Sequence, residues 1–225
     1  MTWTPDLIAL TGDLVPTAGN VTHPGPGRSV ASAAVEVRER AHVTQVEIQA
    51  VVDGDQREEA WKLYLQSFDE LRYLAVQRHV MYGEEFDAVM ADPLVDKFLV
   101  WGDDGTLQGL STMTAHLRSM PLVSPEYFER RWPERYAAGL VFYIGFLGVH
   151  PDSHGTGVFG DLVRAMTEPV ARREGLAVID VCTYNKDKLH LPRAIRWLAS
   201  TWASHVEMAD IDAQTYVGYD FARTG

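Results

Sequence analysis

The pattern of apolar and polar residues predicts the first regular elements of the chain soon after residue 40. Residues 43–50 alternate apolar and polar side chains, which is typical of a half-buried strand, and an Asp-Gly turn signal follows at 53–54. From residue 55 to about residue 75, apolar residues recur every three or four positions, with the charged residues mostly between them. This spacing predicts an amphipathic helix, and a second, shorter helix is predicted for 83–92.

The middle of the chain predicts a hairpin and then a long connection. Two β-prone runs, at about 95–102 and 106–117, flank an Asp-Asp-Gly sequence that is a strong short-range signal for a hairpin turn. After them, a serine that can cap a helix precedes Pro125, which suits the first helical position, and Pro133 is expected to end the element. We therefore predict a short helix inside the connection.

A strand predicted for 140–149 is apolar on both faces, as expected for the centre of a sheet. A glycine-rich turn follows it directly, and from Val158 the apolar residues again recur at helical spacing. Pro169 is expected to kink this helix or to end its regular part.

The last third of the chain predicts a strand, a helix and one or two closing strands. The sequence "LAVIDVCTY" at 176–184 is typical of a buried strand, and 192–203 carries its apolar residues on one side of a helix. Alternation within 205–221 predicts one or two closing strands. The predicted order is therefore β, α, α, β, β, β, α, β, α, β, with a further strand left open.

Composition indicates one folded domain with an N-terminal arm. The first forty or so residues are rich in Gly, Pro, Ser and Ala and have no apolar period, so we predict a flexible arm or linker at 1–41 and a domain at 42–225. The longest apolar run, at 139–149, is about half of what a bilayer-spanning helix requires. The N-terminus lacks the basic region of a signal peptide, and the expected location is cytoplasmic.

The charge of the chain limits its partners. A formal net charge of −11 repels nucleic acid and anionic membrane surfaces, so neither is predicted as a partner. Residues 55–96 carry ten acidic against four basic side chains, which could attract a cationic substrate or could simply form a solvated helix face. The single cysteine, Cys182, excludes an internal disulfide and a cysteine-based zinc cluster, and we interpret it as a buried strand thiol; no metal site is predicted.

The sequence "GVHPDSHGTGVFGDLV" at 148–163 connects the apolar strand to the helix that follows. A strand that leads through a glycine-rich turn into a helix presents consecutive backbone N–H groups and the positive end of the helix dipole to an anion. Gly155 and Gly157 would let a phosphate approach the backbone closely, although such turns also use glycine for purely conformational reasons. The spacing fits neither the dinucleotide fingerprint nor the P-loop.

This turn resembles the signature of the GNAT superfamily of acyl-CoA-dependent N-acyltransferases, roughly V-x-P-x-x-[QR]-G-x-G-[IVA]-[GA]. The matching residues of this chain are Val149, Pro151, Gly155, Gly157 and Val158. The predicted element order matches that superfamily over about 43–221. The resemblance implies an α/β (α+β) fold, with a single domain, a mixed central sheet, helices on both faces, and fourth and fifth strands that splay apart.

The resemblance also implies a ligand and the residues that bind it. Acetyl-CoA or another acyl-CoA is the expected co-substrate, with pantetheine along the splayed strand and pyrophosphate against the turn. By position, Val149 lies at the splay, and the amides from His154 through Phe159 face the pyrophosphate. The expected CoA-binding set is Val149, His154, Gly155, Thr156, Gly157, Val158, Phe159 and Asn185.

The chain departs from the superfamily pattern at four positions. His154 replaces the usual Gln or Arg, and Phe159 replaces a small residue, where it could pack beneath the helix or narrow the anion site. Tyr143 stands where many members have a glutamate base, and Leu198 stands where many have a tyrosine acid.

Other side chains are therefore candidates for proton transfer. Tyr184, beside Asn185, could protonate the leaving thiolate, while Tyr143, His150 or His116 could relay a proton. Each of these residues is also compatible with a packing or capping role.

The connection at 118–139 is longer than the topology requires and contains four aromatic residues, which argue against disorder. We interpret it as a lid over the acceptor site; the alternatives are an ordinary surface helix and a contact between two copies in a homodimer. Two function classes follow. One is an enzyme that acylates a small-molecule amine, for which a cationic acceptor is left open, and the other is a non-catalytic or regulatory acyl-CoA-binding module.

Overall fold

A computed structural model of the chain describes residues 45–121 and 123–221. Five strands form one sheet: β1 (Val46–Gln49), β2 (Asp96–Trp101), β3 (Leu107–Thr114), β4 (Val141–Val149) and β5 (Leu176–Ile179). They lie in the order β1-β2-β3-β4-β5, and all neighbouring pairs are antiparallel except β4 and β5, which are parallel. The predicted mixed sheet is confirmed.

Helices lie between these strands along the chain and after the last one. They are α1 (Gly54–Phe68), α2 (Leu71–Leu74), α3 (Gly83–Ala91), α4 (Pro125–Arg131), α5 (Pro133–Ala137), α6 (Val158–Arg172), α7 (Thr183–Asp187) and α8 (Leu191–Ala199). The helix predicted for 55–75 is divided in two by a turn at 69–70. Helix α4 ends at Arg131, before Pro133 as predicted, and Pro133 begins the separate α5, where a missing N–H costs nothing. Pro169 does not end α6, which continues to Arg172.

Helices cover both faces of the sheet, as expected from the doubly apolar central strands. On β2, Leu99 points into a core shared with α1 and α3, whereas Phe98 and Val100 point into a core shared with α6 and α8. A third, smaller cluster joins α4 and α5 to the first halves of β4 and β5 through Phe128 and Val141. The sheet therefore lies between two helical layers.

One lysine lies fully inside this structure. The side chain of Lys97 on β2 has no exposed surface, and its Nζ donates hydrogen bonds to the carbonyls of Ala50 (2.8 Å) and Asp92 (2.6 Å). Burial lowers the pKa of Lys97 to about 8, although the nearby carboxylates of Asp92 and Asp96 oppose the shift. Through these two hydrogen bonds, Lys97 links the residue after β1 to the residue after α3.

The closing strands predicted within 205–221 are wrong, since the structure has no strand in that range. Alternation shows only that a segment could pair, and here most of its apolar residues stay exposed, among them Tyr219 (79%) and Phe221 (87%). Individual contacts hold the segment instead: Tyr127 donates to the Ile211 carbonyl (2.8 Å), and Lys186 pairs with Asp210 (2.7 Å).

The predicted arm at 1–41 lies outside the described residues. Within 45–121 and 123–221, none of the helices has the length and apolar character that crossing a membrane requires.

Candidate active site

Strands β4 and β5 run side by side for only four residues and then separate. Their pairing begins at Val141 with Leu176 and ends at Ile144 with Ile179, although β4 continues to Val149. Residues 146–149 therefore pair with β3 on one side, and within the described residues no strand pairs with their other side. We call this unpaired side, between β4 and the chain after β5, the gap. The predicted splay of the fourth and fifth strands is present, and Val149 lies at the far end of the unpaired part.

A bulge at Gly145 marks the place where the strands separate. The register with β3 passes from Met113–Ile144 to Thr112–Phe146, so Gly145 is an extra residue on β4. A Cβ on Gly145 would lie 2.7 Å from the Thr112 hydroxyl, which is closer than such contacts occur. The extra residue puts Tyr143 and Phe146 on the same face of the sheet, against α1 and α3.

The glycine-rich turn begins where β4 ends and is attached to β3. The His150 amide donates to the Gln108 carbonyl (2.8 Å), and the Ser153 hydroxyl donates to the Gln108 side chain. A single 3₁₀ turn, Pro151–Ser153, then reverses the chain. Gly155 (φ 79°) and Gly157 (φ 100°) have left-handed backbone conformations, which explains why glycine is needed at both positions.

The turn uses some of its backbone amides internally and leaves others available. The His154 and Thr156 amides donate to the carbonyls of Pro151 (3.3 Å) and Ser153 (3.2 Å). The first amides of a helix have no intrahelical acceptor, and in α6 these belong to Val158, Phe159 and Gly160; the next amide, of Asp161, bonds back to Gly157 (3.0 Å). With the exposed backbone of Gly155 and Gly157, they form a row of donors at the positive end of the α6 dipole.

The side chains of this turn are less involved than its backbone. Burial lowers the pKa of His154, and a hydrogen bond to the Val149 carbonyl opposes the shift. The Nδ1 of His150 accepts a hydrogen bond from the Asp152 amide (3.2 Å). Phe159 is 5% exposed and packs in the core below α6, so its ring does not narrow the turn.

Tyr143, Asp180 and His79 form a polar cluster where β4 and β5 separate. Its hydroxyl donates to Asp180 Oδ1 (2.5 Å), and the other oxygen of Asp180 lies 3.8 Å from His79 Nδ1. Burial and the Asp180 carboxylate both raise the pKa of Tyr143, so the hydroxyl stays protonated. Asp180 follows directly after the last paired residue of β5, which places a carboxylate where the gap begins.

Sequence reasoning missed Asp180 and His79. Asp180 had a usable signal, because it is the first charged residue after an apolar strand, and side chains at strand ends commonly line sites. His79 had none, since the contact spans about a hundred residues of sequence and depends on the path of the chain between α2 and α3.

The strand predicted for 176–184 ends at Ile179, so Tyr184 and Asn185 lie in the short helix α7. Both are half-buried, and the Tyr184 hydroxyl has no hydrogen-bond partner within the described ranges. Cys182 is half-buried before α7, not within a strand. Leu198 packs in the core between α6 and α8. His116 is exposed beyond β3.

The connection at 118–139 covers the sheet beside Tyr143. Phe128 stacks on Trp132 (ring centroids 6.0 Å apart), and both pack with Tyr143, Leu176 and Val178 over the paired halves of β4 and β5. The connection is therefore part of the core cluster over the paired halves of β4 and β5.

The strand order, the parallel last pair, the gap after Ile144 and the glycine-rich turn into α6 are the features of the fold that the resemblance to the GNAT superfamily implies. No group of three or more metal-ligating side chains occurs among the residues that the structure describes.

Comparisons with solved structures found similar chains at low identity. An aminoglycoside acetyltransferase from an uncultured soil metagenomic sample, in complex with trehalose, is 13% identical (79% of this chain, 99% of that chain, TM-score 0.45). A ribosomal-protein-alanine N-acetyltransferase from Brucella melitensis biovar Abortus 2308 is 15% identical (76% and 99%, TM-score 0.42). An acetyltransferase from Trypanosoma brucei is 14% identical (75% and 100%, TM-score 0.38). No protein-family model matches the sequence, and no curated protein matches it. The fold assignment rests on the topology of this chain.

Proposed function

We propose that this chain is an acyl-CoA-dependent N-acyltransferase of the GNAT superfamily, which moves an acyl group, with acetyl as the expected one, to a small-molecule amine. One observation carries the proposal. Residues 145–149, the half of β4 that does not pair with β5, lead directly into the turn, and the available amides of the turn lie at the start of α6. Backbone groups for an extended arm and for a phosphate-type anion therefore follow one another along the same segment.

The arrangement suits direct attack of an amine on a thioester. An acyl-CoA whose pyrophosphate lies at α6 and whose arm lies along β4 brings its thioester toward Gly145, beside Tyr143 and Asp180. Holding an amine against that carbonyl supplies much of the acceleration, and the carboxylate offers a route for the proton. Tyr184 and His150 remain candidates for proton transfer.

A non-catalytic acyl-CoA-binding module is the second candidate. It is favoured by Leu198, which packs in the core at the position of the usual tyrosine acid. The two candidates differ in turnover: a module binds acyl-CoA and releases no CoA thiol with any acceptor, whereas an enzyme does so with at least one amine of a panel.

The experiment that tests the donor site uses matched substitutions at two glycines. Gly157→Glu places a carboxylate and a strained left-handed backbone in the anion turn (φ 100°) and is expected to weaken acetyl-CoA binding by at least about a hundredfold. Gly139→Glu introduces the same charge at another left-handed glycine (φ 63°), before the opposite end of β4, and serves as the control.

Isothermal titration calorimetry with acetyl-CoA measures both variants, and circular dichroism verifies that they are folded. Acetyl-CoA affinity that is equal in wild type and folded Gly157→Glu would refute the donor site. An equal loss in both variants would show that the charge acts without regard to position.

A further inference from the structure

Asp180 has a tyrosine and a histidine as its side-chain partners. Arginine or lysine pairs with Asp69, Glu85, Asp87 and Asp210, whereas in the described ranges no Lys or Arg lies within ion-pair distance of Asp180. Its side chain is 51% exposed at the opening of the gap between β4 and β5. A fixed carboxylate without a cationic partner at a substrate cleft can bind a cation from solution.

The neighbours of Asp180 hold it in position without neutralising it. The Tyr143 hydroxyl, which stays protonated, fixes Oδ1 and leaves the second oxygen open. His79 faces that second oxygen from a mostly buried position, its side chain being 16% exposed. Tyr64 holds the backbone directly after the His79 side chain, since its hydroxyl donates to the His79 carbonyl (3.3 Å) and accepts from the Met81 amide (2.9 Å).

We propose that Asp180 binds the ammonium group of the acceptor and takes its proton, with Tyr143 as a positioning residue and His79 as the next proton acceptor. The inference rests on the proposed function and names its substrate class: an alkylamine that is protonated at neutral pH.

The chemical step balances with the groups present. The acceptor enters as R–NH₃⁺, and one proton passes to Asp180 and onward to His79 and solvent. Because Asp180 Oδ2 and His79 Nδ1 are 3.8 Å apart, this second transfer needs a small side-chain rotation or one bridging water. The freed lone pair forms the C–N bond while the C–S bond breaks, and a second N–H proton ends on the CoA thiolate. The products are an amide, the CoA thiol and one released proton.

The first test measures amine binding without turnover. n-Butylamine and 2-phenylethylamine are the probes, the corresponding alcohols are their neutral counterparts, and calorimetry measures binding to the full chain. Asp180→Asn should lose at least about tenfold in amine affinity and little in alcohol affinity. Asp187→Asn, which removes an exposed acid at the end of α7, is the control for net charge. Wild-type affinity in Asp180→Asn, or no amine binding by the wild type, would overturn the inference.

A second variant protects this test from a folding defect. Asp180→Glu keeps the charge and displaces it by one methylene, so it should regain part of the amine affinity that Asp180→Asn loses. If both variants unfold at the wild-type temperature and bind amines equally weakly, the charge at this position is not what binds the probe.

Turnover separates the inference from the proposed function. With acetyl-CoA, Asp180→Asn should slow the acylation of alkylamines far more than that of phenylhydrazine, which is already neutral at pH 7. Tyr143→Phe should raise the KM for alkylamines more than it lowers kcat, because it frees the carboxylate to move. Failure of acetyl-CoA binding or of all turnover contradicts the function alone, while equal slowing of both acceptor classes contradicts the role of Asp180.

Discussion

At the scale of single residues, the chain holds two charged side chains in opposite ways. The Lys97 side chain has no exposed surface and donates hydrogen bonds to two backbone carbonyls. The Asp180 side chain is half exposed and leaves one carboxylate oxygen available. Removing a charge from water is costly unless hydrogen bonds replace the water. Lys97 therefore acts on stability, and Asp180 lies where it can act on a ligand.

Lys97 gives a prediction on the pH dependence of stability. Its pKa is about 8 in the folded protein and near 10.5 in an unfolded chain, so the unfolded state binds more protons between these values. The free energy of unfolding should therefore rise as pH increases from about 8 to about 10.5, by on the order of 3 kcal/mol from this group. Urea titrations of wild type and Lys97→Met measure the rise.

The exposed Lys188 supplies the control for this experiment, because Lys188→Met removes the same charge without removing a buried one. That variant should keep the rise, and Lys97→Met should lack it. An equal rise in all three proteins would assign the effect to other groups.

At the scale of elements, the bulge on β4 organises the candidate site. It adds Gly145 between Ile144 and Phe146, and at the same position β4 loses its partner β5. A bulge bends and twists its strand, which is compatible with two parallel strands moving apart. The small residue is required because the Thr112 hydroxyl lies directly below it.

Gly145→Ala should destabilise the protein by about 1–3 kcal/mol through overpacking against Thr112. In a Thr112→Ala background the cost should fall, because the opposing hydroxyl is gone, and denaturant unfolding of the four proteins gives the coupling energy. Gly160→Ala is the matched control, since its new Cβ would meet only Leu198 at an ordinary 3.7 Å. Equal costs of Gly145→Ala in both backgrounds would show that Thr112 is not the obstacle.

The sequence predicts these elements unequally, for physical reasons. The apolar run of β4 and the glycines at 155 and 157 are local signals, so the strand, the turn and α6 are present where the pattern places them. The end of β5 and the unpaired state of 205–221 depend on which strand edge is available, which no local pattern records. The contact of Tyr143 with Asp180 depends on the same pairing, so the site was predicted only in part.

At the scale of the whole molecule, the two helical layers pack differently against the faces of the sheet that they share. The layer of α6 and α8 packs along one face as a single cluster, whereas the other face carries two clusters, one below α1 and α3 and one below α4 and α5. The final segment, 205–221, contributes Ile211 to the last of these clusters and is otherwise mostly exposed. Its attachment is therefore expected to be a weak point of the fold.

Tyr127→Phe should loosen this segment by removing the hydrogen bond to the Ile211 carbonyl. Loss of a bond worth about 1 kcal/mol should speed cleavage within 205–221 about fivefold, because cleavage follows the population of the open state. Limited chymotrypsin digestion followed by mass spectrometry measures the rate. Tyr73→Phe, at a tyrosine that is 86% exposed, is the control, and equal rates in the two variants would refute the attachment.

The open side of β4 also determines which kinds of mutation this protein can tolerate over evolutionary time. Residues 145–149 offer main-chain groups to the gap, and every amino acid except proline supplies the same N–H and C=O. Most single substitutions therefore leave that surface in place. The exceptions are Gly145 and Gly148, because an added Cβ would lie 2.7 Å from the Thr112 hydroxyl and 2.9 Å from the Ser67 hydroxyl. A one-residue deletion at 147–149 would be more severe, because the strand would use up the extra position of the bulge to reach the turn and so turn Phe146 to the opposite face of the sheet. The segment should thus drift in sequence while its length stays fixed.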